Sequence, residues 1–122
     1  MLGEIDTKTQ VYEIDTKTRV HNLGPVARIP IGEGRTFYAG GREIAVFRDR
    51  KRRVYTTQGW CPHRFGQLAD GLVRNGQLVC PMHGYRFDLR TGAPRGNICE
   101  SIRTFLVTLS KSGEILLTLE ET

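Results

Sequence analysis

The stretch Thr104-Phe105-Leu106-Val107-Thr108-Leu109-Ser110-Lys111-Ser112-Gly113-Glu114-Ile115-Leu116-Leu117-Thr118-Leu119 reads as two strands around a turn. Its arms are rich in Leu, Val, Ile and Thr, and Lys111-Ser112-Gly113 between them is a turn sequence. The same grammar recurs upstream. Glu43-Ile44-Ala45-Val46-Phe47 predicts a strand, the charged run Arg48-Asp49-Arg50-Lys51-Arg52 a turn, and Val54-Tyr55-Thr56-Thr57 the returning strand. Val26-Ala27-Arg28-Ile29 and Leu78-Val79-Cys80 are read as shorter strands. No window holds a 3.6-residue apolar period over a dozen residues, so long helices are not predicted. The fold class is all-β: a small antiparallel sandwich or barrel, with a loop-rich subdomain inserted at one end.

The chain has 122 residues, 39% hydrophobic and 25% charged, which suits one globular domain with a real core. No apolar run reaches the length of a membrane-spanning helix. Met1-Leu2-Gly3-Glu4-Ile5-Asp6 lacks the basic-then-apolar order of a secretory leader, so a cytoplasmic protein is expected. Glu4-Ile5-Asp6-Thr7-Lys8-Thr9 returns as Glu13-Ile14-Asp15-Thr16-Lys17-Thr18; two polar copies do not make a repeat architecture. Residues 1–19 are therefore read as an N-terminal extension and 20–122 as the domain. The net charge of +5 favours an acidic partner, although solubility alone would explain it.

Residues 59–95 depart from the strand pattern and are read as the inserted subdomain. Two boxes stand out there: Cys61-Pro62-His63 and Cys80-Pro81-Met82-His83, with sixteen residues between His63 and Cys80. Each offers a thiolate and an imidazole. Proline after each cysteine biases it to extended backbone. Gly66 and Gly84 follow the histidines and would let backbone come close to a buried anion. Two thiolates and two imidazoles could hold one tetrahedral zinc. They could equally hold a [2Fe–2S] cluster in which histidines replace two cysteines on one iron. Common zinc sites bring ligands as Cys-Cys or His-His pairs, so Cys-x-His followed by Cys-x-x-His suits the two-iron site better.

These boxes, with Leu68-Ala69-Asp70-Gly71 after the first and Phe87-Asp88-Leu89-Arg90-Thr91-Gly92 after the second, resemble the Rieske [2Fe–2S] family over about residues 25–119. The resemblance implies Cys61 and Cys80 on the inner iron, His63 and His83 on the outer, one cluster per chain, and a covering loop at Gly92-Ala93-Pro94. The extra cysteine pair of high-potential members is absent, since Gly66 and Met82 occupy those positions. Their Ser and Tyr hydroxyls are replaced by Tyr85 and by Phe87, which has none. Fewer hydrogen bonds to sulfur imply a potential toward the low end of roughly −150 to +300 mV. The chain thus looks like soluble Rieske-type ferredoxins and the small subunit of NAD(P)H-dependent nitrite reductase.

No nucleophile–base set, phosphate loop or dinucleotide fingerprint is visible, and His21 alone cannot complete an oxygenase iron site. The expected function is one-electron transfer from a reductase to a terminal oxygenase, not catalysis. Alternatives are an accessory subunit bound to a larger nitrite reductase subunit, and a zinc-stapled interaction module. Neither nucleic acid nor membrane is an expected partner. Cys99 is read as a semi-buried thiol, His21 as an ordinary histidine, and Trp60 and Tyr85 as packing around the boxes. Arg64 and Phe65 are expected to touch a partner. The Arg48–Arg53 run is read as a solvated tip, with steering of an acidic partner as its rival.

Overall fold

The computed structural model of the chain describes residues 18–62, 66–81, 84–96 and 99–120. The described residues form nine strands: β1 Thr18–Pro25, β2 Gly34–Ala39, β3 Arg42–Arg48, β4 Val54–Gln58, β5 Leu72–Arg74, β6 Gln77–Val79, β7 Arg86–Asp88, β8 Thr104–Leu109 and β9 Glu114–Glu120. Six form an antiparallel sheet in the order β1-β9-β8-β4-β3-β2; β5-β6-β7 form a second, smaller one. The only helical segments among the described residues are two 3-10 turns, and no helix there is long and apolar enough to cross a membrane.

The predicted hairpins form as β3–β4 and β8–β9, with Val46 opposite Thr56 and Val107 opposite Leu117. β9 buries Ile115, Leu117 and Leu119 and leaves the residues between them partly exposed, the period of a strand with one face inward. The large sheet curls so that these residues meet Ile44, Val46, Ala39 and Ile29 in one aliphatic core. The Arg42 guanidinium helps to close the curl: it lies 5.8 Å from the Phe105 ring centroid and reaches the Glu120 carbonyl at 3.5 Å.

β3 explains its own unbroken apolar run. Ile44, Ala45, Val46 and Phe47 are all fully buried. Ile44 and Val46 face the aliphatic core, whereas Ala45 and Phe47 face a second core built from the inserted subdomain. A strand covered on both faces has no position left for a polar residue.

Three sequence expectations need correction. Val26–Arg28 is a 3-10 turn, closed by the Ile29 N–H donating to the Val26 carbonyl at 3.0 Å, and not a strand. Pro25 and the left-handed Gly24 before it end β1 and redirect the chain. Thr18 and Arg19, assigned to the extension, open edge strand β1 opposite Glu120 and Leu119. β1, β2, β5 and β7 had no counterpart in the sequence reading. The duplicated segment itself, up to Lys17, lies outside the described residues.

Candidate metal centre

β4 delivers the chain to the first box. Gly59 N–H donates to the Glu43 carbonyl at 3.0 Å, which holds the segment after β4 against β3. Trp60 and Gln67 then pair across the loop neck as an isolated bridge. Gln67 braces the neck through its side chain: Nε2 donates to Glu43 Oε2 at 3.0 Å, and Oε1 accepts from Thr36 Oγ1 at 3.2 Å. The 3-10 turn Leu68–Asp70 follows, burying Leu68 and Ala69 beneath the loop. The second box leaves the end of β6 and returns as β7.

The two boxes are closed in the same way. Cys61 N–H donates to the Gly66 carbonyl at 2.8 Å, and Cys80 N–H to the Tyr85 carbonyl at 2.7 Å. Each bond spans five residues and encloses a loop of four. Gly84 N–H also donates to the Cys80 carbonyl at 3.1 Å, with Gly84 at φ 69°. An added Cβ there would meet no described protein atom within 4 Å, so among these residues it is the left-handed backbone that calls for glycine.

Cys61 and Cys80 come from different loops but share one core, each 1% exposed, with Leu68, Leu78, Phe87, Leu89 and Ile102. Pro81 and Gly84 in the second loop are exposed. Two thiols are thus held in an apolar, water-poor core beneath surface loops. Sulfur is soft and the surroundings are dry, which suits iron–sulfur ligation. The donor set fits a [2Fe–2S] cluster on its thiolate side. His63, His83, Arg64, Phe65 and Met82 lie outside the described residues.

Phe87 is fully buried beside both cysteines and brings no hydroxyl. Tyr85 is half-buried against the same core. Trp60 is 41% exposed, so it is a rim residue more than a packing one. His21 lies in β1 opposite Leu117, in the large sheet.

Two features were not legible in the spacing. Cys99 packs against the core that holds Cys61. Burial pushes its thiol above the usual range, and the neighbouring Cys61 charge adds to that. Asp88 organises the proline-containing loop. Its Oδ1 accepts from the N–H groups of Arg90 and Thr91 at 2.8 and 3.0 Å, and its carbonyl accepts from Gly92 N–H at 2.7 Å. Burial raises the Asp88 pKa, but these hydrogen bonds outweigh it and the net shift is downward. Pro94 then bridges to Phe87, which brings the loop over the core.

The Rieske [2Fe-2S] domain profile matches residues 19–105. The chain is 32% identical over 88 residues to the anthranilate 1,2-dioxygenase ferredoxin subunit of Burkholderia cepacia, covering 71% of this chain and 81% of that one. It is 44% identical over 48 residues to 4beta-methylsterol monooxygenase of Methylococcus capsulatus, covering 39% of this chain but 13% of that protein. Among solved structures, the ferredoxin of carbazole 1,9a-dioxygenase from Nocardioides aromaticivorans IC177 superimposes with a TM-score of 0.73 at 30% identity, covering 80% of this chain and 95% of that one. The chain therefore spans a small part of the oxygenase it matches and most of the two ferredoxin components. Buried paired cysteines, matching loop closures and the profile agree: the chain belongs to the Rieske [2Fe–2S] domain family, and its cofactor is a [2Fe–2S] cluster.

Proposed function

We propose that this chain is a cytoplasmic ferredoxin that passes single electrons from a reductase to a terminal oxygenase, with Cys61, His63, Cys80 and His83 as cluster ligands. The observation that carries the reading is the pair of cysteines buried in one core by two equivalently closed loops. It is supported by likeness along most of the length of two dioxygenase ferredoxin components. When bound, the cluster supplies a one-electron couple.

The chain's own work is positional. Leu68, Leu78 and Phe87 keep water from the thiolates. The loops after Cys61 and Cys80 carry the histidines, which are the ligands that must come near a partner. Phe87 leaves the thiolates without a hydroxyl donor at that point, which favours the oxidised state and a low potential.

Optical and pulsed EPR spectra of the purified protein, oxidised and then reduced with dithionite, test the assignment. A coloured oxidised form that gains a paramagnetic signal with imidazole nitrogen couplings is the expected result. Colourless, folded protein with one zinc per chain would overturn it. The carrier role is tested separately, by whether the reduced protein delivers its electron to an oxygenase of the dioxygenase class.

A further inference from the structure

Away from the boxes, an open groove of about 790 Å³ runs between the β3–β4 turn and the β5–β6 turn. Its place is set by backbone contacts. Gly32 N–H donates to the Arg48 carbonyl at 2.7 Å, and Val73 N–H donates to the Gly32 carbonyl at 3.2 Å. The strap at Gly32 thus fixes the two turns on either side of it. The groove reaches Asn75 and Gly76 at the start of β6, whereas Cys80 follows the other end of that strand. Leu72, at the other end of the groove, lies opposite Val79 and so one residue from Cys80, but none of the lining residues belongs to either box.

Its chemistry is mixed in a particular way. Ile31 and Leu72 are 53% and 56% exposed, large apolar side chains facing solvent. Arg50, Lys51 and Arg74 line the same groove and have no ion pair among the described residues. The two lining acids are already engaged. Asp49 accepts from Lys51 N–H, from Arg53 N–H and Nε and from the Tyr55 hydroxyl, all within 3.3 Å. Glu33 pairs with Arg35 at 3.3 Å. Among the described residues, the groove therefore offers three cations without an ion-pair partner around an apolar strip.

We propose that this groove is a docking site for an acidic peptide segment of a partner protein, one that places an apolar side chain between carboxylates. Charge complementarity selects the carboxylates, and Ile31 with Leu72 select the apolar side chain. Among the described residues no aromatic side chain lines the groove on which a nucleic-acid base could stack, and the apolar strip has no use for a phosphate backbone. The site does not depend on the cluster assignment.

The test is a fluorescence anisotropy titration of the full-length, cofactor-loaded protein with a labelled peptide, Glu-Asp-Leu-Leu-Asp-Glu, at low salt. Saturable binding is expected, with amide NMR shifts at residues 31–33, 49–51 and 72–76. The double variant Arg50→Glu/Arg74→Glu should weaken it by about tenfold or more, and added salt should weaken it too. Leu72→Ser should weaken it several-fold with charge unchanged. These side chains are exposed, so an unaltered visible spectrum verifies that each variant is folded. Absence of saturable binding, equal affinity in the charge-reversed variant, or no response to Leu72→Ser would overturn the proposal. So would shifts centred on the ligand loops, or tighter binding of an oligothymidylate.

Discussion

The large sheet and the cluster-bearing end solve the same problem with different materials. β9 buries three aliphatic residues in a core shared with β3, Ala39 and Ile29, and the buried side chains of that core are all aliphatic. The small sheet has strands of three residues each, and its core includes two cysteines. Three-residue strands bury too little to stand alone. Thiolates in an apolar core are costly unless a metal group binds them. The difference teaches that the first region is stabilised by its own side chains, while the second borrows stability from its cofactor.

Removing a thiolate gives the largest expected effect. Cys80→Ser should abolish the visible chromophore, and hydrogen exchange should show β5–β7 amides losing protection while β1, β8 and β9 keep theirs. If β9 amides lose protection equally, the two regions are one cooperative unit and the comparison fails. Leu117→Ala works from the other side. It should cost about 2–5 kcal/mol in urea unfolding while leaving the cluster spectrum unchanged. Gly92→Ala probes the seam between the loop and β8. Gly92 has φ 81°, and an added Cβ would fall on the Ile102 carbonyl oxygen. A loss of about 1–3 kcal/mol is expected, together with faster cluster release on dilution into chelator.

The smallest effect concerns the tip of β3–β4. Burial raises the Asp49 pKa, but hydrogen bonds from Arg53 and Lys51 lower it further than burial raises it. A carboxylate held low in the folded state stabilises the protein above its unfolded pKa of about 3.9, and that contribution fades as pH falls through the folded value. Asp49→Asn should cost about 1 kcal/mol at neutral pH and flatten the acid limb of the stability profile. Equal acid sensitivity in both proteins would place the responsible carboxylate elsewhere, with Asp88 the next to replace.

How much of this was legible depends on what each residue's role requires of its neighbours in sequence. The hairpins at 43–57 and 104–119 announce themselves because alternation, β-branching and turn chemistry are local. The boxes are legible because cysteine, proline and histidine recur at short local spacing; that Cys61 and Cys80 are buried in one core is what the fold adds. β5 and β7 were not legible, since three residues are too few to show a period. Val26–Arg28 looked like a strand because Val and Ile favour one; Gly24 and Pro25 decided otherwise through backbone geometry. Asp49 was hidden inside a run that reads as surface charge. Only the fold shows that Arg53 neutralises it while Arg48 reaches the Ile29 carbonyl at 3.0 Å. Cys99 meets the Cys61 core through tertiary packing, which no spacing records.

β3 gives the molecule an unusual arrangement of evolutionary freedom. Its even positions, Ile44 and Val46, answer only to the curled sheet; its odd positions, Ala45 and Phe47, answer to the core that holds Cys61 and Cys80. Substitutions along this one strand should therefore sort by parity. Substitutions at 44 and 46 should shift thermal tolerance without altering redox behaviour. Changes at 45 and 47 alter the surroundings of the electron carrier while sparing the scaffold. Slippage of β3 by one residue would exchange the two sets and spoil both cores together.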